Sequence, residues 1–526
     1  MRKHKAESST KSHGNRPLSQ GASGARAERP DAVRWRGTGW TLLGLATCVA
    51  LALAVPSGAA AGSAPRSWAG AWGRSLGARS DAMGEVEGRG SVLEGWVEAP
   101  AELVSSAVRG RSPGFGAAVT FGAAAEAGAT LLIGAPQGLA AGEGGVVLGA
   151  RRVSERPGWQ VGGPRSWWTG PLGSRRRAPG TAPSLGDDEQ GRALASALGW
   201  VGAGAPGAVL DGQRTGAVSL VPLGPSRPLG VEAQVIYPPA ESTGGAFGSA
   251  LAFLEVNGAA RTLAVGAPQE DDPRTGLPLV GAVHLYGLAE STHELAERTG
   301  TQGPQRWQLM RTIRPRSATI GMSFGASLAF VGDVLVIGAP GDGSKAPGAG
   351  SVSGMARTGE ALWRLTSSEA GARFGTRLCA LGGAWEPGGA GLAVSAIGRG
   401  EVYVYGVGSG TPREEHRLLG RVGDGFGFSL AAMDAHLLVG APFAGFRGLP
   451  LAGVVDRFTP WGGGVCVERL LPPEPTVGGE FGSCLSMVRG RGGACRLAVG
   501  EPGSELGRPP GEGLCRPGRV LIYALP

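Results

Sequence analysis

Three carboxylates stand side by side in the stretch PQEDDPRTG: Glu270, Asp271 and Asp272. Adjacent acids can hold a cation or meet a basic partner, and the same run also fits a solvated acidic loop. A second concentration of reactive residue types lies in PRSWWTGPLGSRRRAPGTAPSLGDDEQ, residues 164–190, where Trp167 and Trp168 precede Arg175, Arg176 and Arg177. Aromatics beside arginines are the types that anchor protein interfaces. A proline-rich surface loop is the alternative reading of this segment. Histidines beyond the N-terminal region (His284, His293, His416 and His436) are dispersed, and none is at metal-ligand spacing. His284 falls in the alternating run GAVHLYG and reads as a strand residue. No CxxC pair exists, which argues against a zinc site. Cys484 and Cys495 could close a hairpin with a disulfide, and Cys466 could pair with Cys515. Buried reduced thiols are the other option.

Two segments match enzyme fingerprints letter for letter. GAGAPG at 202–207 has the form GxGxxG, but a dinucleotide site needs a helix after the loop, and here a proline and an apolar strand pattern follow. GRSPG at 110–114 has the form GxSxG, yet Pro113 and Gly114 stand where a nucleophile elbow requires a helix. Neither supports catalysis.

The elements that would position these residues are written into the sequence as a repeat. FGASLAFVGDVLVIGAP begins at Phe324, and related stretches begin at Phe115, Phe247, Phe374, Phe426 and Phe481, with a weaker copy at Gln190. Phe-Gly pairs recur as Phe115-Gly116, Phe247-Gly248, Phe324-Gly325, Phe374-Gly375, Phe426-Gly427 and Phe481-Gly482. Each copy reads as one strand from Phe-Gly, a turn, and a second strand ending at or near Gly-Ala-Pro. A third strand opening on Gly follows, and in most copies a fourth apolar run. Four short antiparallel strands repeated seven times predict an all-β, seven-bladed β-propeller. The seventh copy lacks a fourth strand. The apolar run SVLEGWVEAP at 91–100 is expected to supply it, so that an N-terminal strand completes the last blade and leaves no open edge. Phe is expected in the layer between blades, Gly where backbones approach, and Pro where a ladder must stop.

These motifs resemble the FG-GAP repeats of the integrin α-subunit head and related surface proteins, over about residues 90–526. The resemblance implies a seven-bladed propeller used for extracellular recognition through the loops that follow GAP and precede the next FG. It also implies calcium in the FG-to-GAP hairpins, in a run like DxNxDGxxD. The residues here do not follow that pattern. Three hairpins are too short for such a loop, and the longer ones offer only isolated candidates such as Glu126, Glu255 and Asn257. Calcium requires six to eight oxygens, so no metal and no other cofactor is expected.

Charge and targeting complete the reading. The formal net charge is +8, but nine basic residues lie within residues 1–38 and none of residues 39–61 is charged, which leaves the body close to neutral. That balance argues against nucleic acid as a partner. Residues 1–38 read as a basic, disordered region, 39–61 as a signal peptide or uncleaved signal-anchor, 62–89 as a low-complexity linker and 90–526 as the propeller. The expected function is that of a secreted or membrane-anchored, non-enzymatic recognition or adhesion module. Its ligand would be a protein or glycan on the loop face, and its single anchor the N-terminal segment. A propeller hydrolase or lyase with a central-channel site, and a structural organellar ring, are the alternatives. The oligomeric state is not specified by the sequence.

Overall fold

The computed structural model describes residues 101–104 and, within 114–525, all but 123–129, 137–144, 153–158, 162–187, 211, 224–232, 258, 290–305, 383–384, 386–389, 409, 461–465, 490–494 and 504–517. Seven four-stranded antiparallel sheets account for all the strands in this set except one short hairpin, Val209–Leu210 with Gln213–Arg214. The third blade is representative. Its strands are Ala250–Val256, Ala259–Ala267, Ala282–Ala289 and Arg306–Ile313, hydrogen-bonded in chain order. The first strand of every blade touches the first strand of the next, and that of the seventh blade touches that of the first, which closes the ring. The chain is therefore a seven-bladed β-propeller.

The seventh blade is assembled from both ends of the ring. Cys484–Arg489, Cys495–Glu501 and Arg519–Leu525 are joined by Ala101–Val104, which pairs antiparallel with the last strand, Ala101 opposite Ile522 and Val104 opposite Arg519. An N-terminal strand thus completes the last blade as expected. The pairing strand follows the 91–100 run, which itself lies outside the described residues.

The repeat residues make the contacts between blades. Six of the seven FG positions hold phenylalanines at most 3% exposed, each in an apolar layer shared with a neighbouring blade. Phe247, for example, packs with Val218 and Leu220 of the second blade and Leu263 and Val265 of the third. Burying such a ring stabilises by roughly 1.5–3 kcal/mol. The glycine after it has φ between 83° and 91° in all seven blades, a region that side chains other than glycine rarely occupy. Its amide donates to the carbonyl of the GAP glycine in its own blade, as in Gly325 to Gly338 at 3.0 Å. Its carbonyl lies against the GAP glycine of the preceding blade. A Cβ on Gly266 would overlap the Gly325 oxygen, and the same holds for Gly134, Gly204, Gly338, Gly440 and Gly500. FG and GAP are thus two halves of one docking contact between adjacent blades. The fifth blade departs from the rule, with Ser395 in the glycine's place beside Gly427.

A third residue type secures the same contact. Two residues after the FG glycine, Ser327 and Ser429 donate their hydroxyls to the carbonyls of Gly375 and Gly482 in the following blades, at 2.7 and 2.6 Å. Cys484 holds this position in the seventh blade and its thiol donates to the Gly116 carbonyl at 2.8 Å, across the seam where the ring closes. Of the two options for Cys484 and Cys495, a disulfide or reduced thiols, the structure has the second, since both thiols are free. Cys484 lies opposite Gly500 and Cys495 opposite Arg489, at opposite ends of the hairpin. Five residue steps of about 3.3 Å each separate them along the ladder, well beyond the roughly 7 Å Cα limit for a bridge. Burial pushes the Cys484 thiol up to about 12, so it stays protonated. Of the other suggested pair, Cys515 lies outside the described residues.

Candidate functional site

Antiparallel blades place the loops after GAP and the loops entering the next FG on one face. Hydrogen bonds between the two loop sets confirm it: Ser323 N donates to Leu279 O at 3.2 Å, and Gly341 N to Met322 O at 3.1 Å. This face carries the acidic stretch of the third blade. Glu270 and Asp272 are each 1% exposed, so the reading of a solvated acidic loop is corrected for these two residues.

Each carboxylate is engaged within the chain. Glu270 Oε2 accepts from Ser242 Oγ at 2.6 Å and faces His284 Nε2 at 2.9 Å, and Oε1 is paired with Arg314. His284 stands on the third strand, two residues beyond Ala282. It is fully buried against Phe247 at 5.4 Å, and its Nδ1 meets Thr312 Oγ1 at 3.0 Å. Burial alone would push the Glu270 carboxyl up, but His284, Ser242 and Arg314 together hold it below the ordinary value. Asp272 accepts from Arg274 Nε at 3.0 Å and from Thr275 Oγ1 at 3.0 Å, while Arg274 also donates to the Pro315 carbonyl at 2.7 Å. The Arg274 hydrogen bond is the largest influence on Asp272 and keeps its carboxyl low. Asp271 accepts from the Leu279 amide at 3.0 Å. The loop therefore pins itself, and its acids act on its own conformation.

The same device recurs around the face. Asp342 pairs with Arg364 in the fourth blade, and Glu501 with Arg519 in the seventh at 2.8 and 3.0 Å. In the sixth blade Asp456 pairs with Arg469 at 2.7 and 3.0 Å. Asp456 takes the third-strand position that His284 takes in the third blade, as the shared register with the GAP segments shows. Beside it lies a cleft of ≈ 260 Å³, lined by Arg421, Asp424, Phe426, Ala441, Ala444 and Val454 together with the Asp456–Arg469 pair.

Apolar side chains also reach this face. Val209, Leu279, Ile320, Val422 and Val477 are large, solvent-exposed and carried by loops after GAP or before FG. The other exposed large hydrophobics among the described residues, Leu309, Met310, Leu362 and Leu419, lie on fourth strands at the outer rim.

Of the residues singled out from sequence, Glu270, Asp271 and Asp272 share one loop on this face. Trp167, Trp168, Arg175, Arg176 and Arg177 lie outside the described residues. Sequence reasoning missed Ser242, Arg314, Asp424, Asp456 and Arg469, and took His284 only as a strand residue. A usable signal existed for two of them: a His or Asp on the inward parity of an apolar third strand demands a buried partner. Among the described residues no group of three or more His, Cys, Asp or Glu side chains is placed to hold a metal ion, and no helix is long and apolar enough to cross a membrane.

Comparison with known proteins adds little beyond this geometry. No protein-family model and no curated protein matches the chain. Among solved structures, a chain from the crystal structure of the mitotic checkpoint complex aligns at 11% identity over 90% of this chain and 99% of that one, with a TM-score of 0.41.

Proposed function

We propose that this propeller is an FG-GAP-type recognition module without catalytic activity, secreted or held at a membrane by its N-terminal segment, and that it binds a protein through the face carrying the GAP loops. One observation carries the reading: five exposed large apolar side chains, Val209, Leu279, Ile320, Val422 and Val477, are displayed by that face, from loops of several blades. The acids between them are neutralised by arginines of the same chain. An apolar set with paired charges around it has the composition of an interface core and rim. The repeat residues FG and GAP are consumed in blade docking, which leaves the loops free to vary with the ligand.

The test is cross-linking of the full chain on cells, followed by mass spectrometry of the linked peptides. The reading expects links from the 207–216, 269–281, 315–323, 421–425 and 472–480 loops, abolished by Leu279→Asp with Ile320→Asp and unchanged by Leu362→Asp on the outer rim. Links that map to the rim, or that survive the loop variant, would refute it. Capture of glycans rather than proteins by the same face would reassign the ligand class.

A further inference from the structure

The sixth-blade cleft holds two groups of opposite charge that do not pair. Arg421 and Asp424 sit three positions apart in the loop entering the blade, and both line the cleft. Among the described residues neither side chain makes a hydrogen bond or an ion pair, with the other or with anything else. Their neighbours are already satisfied, since Asp456 and Arg469 are held together by two hydrogen bonds and form a neutral wall. The remaining lining is apolar: Phe426, Ala441, Ala444 and Val454.

A half-buried carboxylate without a donor is an unfavourable arrangement. Burial raises the Asp424 carboxyl above its ordinary value, only partly opposed by Arg421 and Arg469, and Asp456 adds to the rise. Arg421 is exposed and keeps its water, so the unmet group is Asp424; a cation alone would answer it but bring a like charge beside Arg421, and an anion alone would meet the charge of Asp424. A ligand carrying both charges on a short frame satisfies both groups and leaves the net charge of the cleft unchanged. At ≈ 260 Å³ the cleft falls below the roughly 300–1,000 Å³ typical of sites for drug-sized ligands, so the ligand is small. We infer that this cleft binds a free α-amino acid with a small apolar side chain, its ammonium on Asp424, its carboxylate on Arg421, and its side chain on Phe426, Ala444 and Val454. The cleft shares the 421–425 loop with the proposed protein-binding face, but neither its ligand nor its test depends on that reading.

The experiment is isothermal titration calorimetry on the full chain at pH 7, with L-alanine, L-valine and L-leucine as probes and N-acetyl-L-valine and L-valinamide as blocked controls. Saturable binding of a zwitterion is expected, weakened at least about tenfold by either block, since each removes a hydrogen-bonded charge. Asp424→Asn and Arg421→Gln should each weaken it by a similar factor while the melting temperature stays within a few degrees of the parent. No saturable binding of any zwitterion at millimolar concentration would overturn the proposal. So would equal binding of both blocked forms. Sensitivity to acetylation alone would make the cleft a cation site, and sensitivity to amidation alone an anion site; either result also overturns it.

Discussion

Gln190 is the one FG-position residue that is not phenylalanine, and replacing it should stabilise the ring. It is 1% exposed, and among the described residues neither its amide oxygen nor its amide nitrogen has a hydrogen-bond partner. Among the described residues, the apolar cluster between the first and second blades is correspondingly thin, with Leu132, Val147, Val201 and Ala203 buried and no aromatic ring. An unsatisfied buried amide costs about 1–3 kcal/mol. Gln190→Met removes both polar atoms at nearly constant volume, so most of that cost should be recovered as stability. Unfolding entropy of about 2.1 cal/mol/K per residue over roughly 400 residues gives about 0.8 kcal/mol/K, hence a rise in Tm of about 1–4 °C. Differential scanning calorimetry of the full chain reads this directly. Gln190→Ala serves as control, because it deletes the amide but leaves a void, and should gain less or lose stability. A Tm for Gln190→Met at or below the parent value would show that the amide is satisfied, and the reasoning from burial would fail.

Other outcomes follow from the same contacts. Gly325→Ala places a Cβ 2.8 Å from the Ala282 carbonyl at φ 89° and should cost about 2 kcal/mol or more, whereas Gly332→Ala, at φ 57° with open space around it, should cost about 1 kcal/mol; urea titrations compare the two. Cys484→Ser should be close to neutral in Tm, since serine makes the equivalent bond in two other blades, and intact mass after alkylation should show no Cys484–Cys495 bridge. Glu270→Gln removes the charge facing His284 and Arg314 and should cost about 3 kcal/mol at pH 7. Because the Glu270 carboxyl is lowered in the fold, its contribution is full above the unfolded value and fades as pH falls through the folded one, so parent and variant should converge toward acid pH. Asp424 has the opposite sign: its raised carboxyl opposes folding at neutral pH, so Asp424→Asn should raise Tm there and lose that advantage in acid.

The architecture was legible because most blades solve the same packing problem with the same residues. Phe fills the layer between sheets, and FG and GAP glycines meet where no side chain fits, so a contact between blades appears as a local motif. The closing strand was harder to read. Ala101–Val104 contributes only four residues, AELV, and its place comes from pairing with Arg519–Leu525 rather than from its own hydrophobicity, so the more apolar run just before it drew the expectation. The site was legible only in part. Three adjacent acids stood out as a charge run, but what determines the state of Glu270 lies 14, 28 and 44 positions away, in His284, Ser242 and Arg314, while Asp272 is held by its near neighbours Arg274 and Thr275. Asp424 gave no local cue, because a single aspartate in a loop looks the same whether it is solvated or walled into a cleft, whereas Asp456 sits in an apolar strand where its charge could have been noticed.

Closure of the ring by Ala101–Val104 sets a clock on synthesis. Its partner strand, Arg519–Leu525, is made roughly 400 residues later, so at about 5–20 residues per second the first strand waits on the order of 20–80 s for it. Throughout that interval six blades can stack in order as they emerge, while the first blade's outward flank, with Phe115, Leu131 and Ile133, has no neighbour to cover it. The nascent protein is therefore most exposed to chaperones and to mispairing with other chains just before its last strand appears.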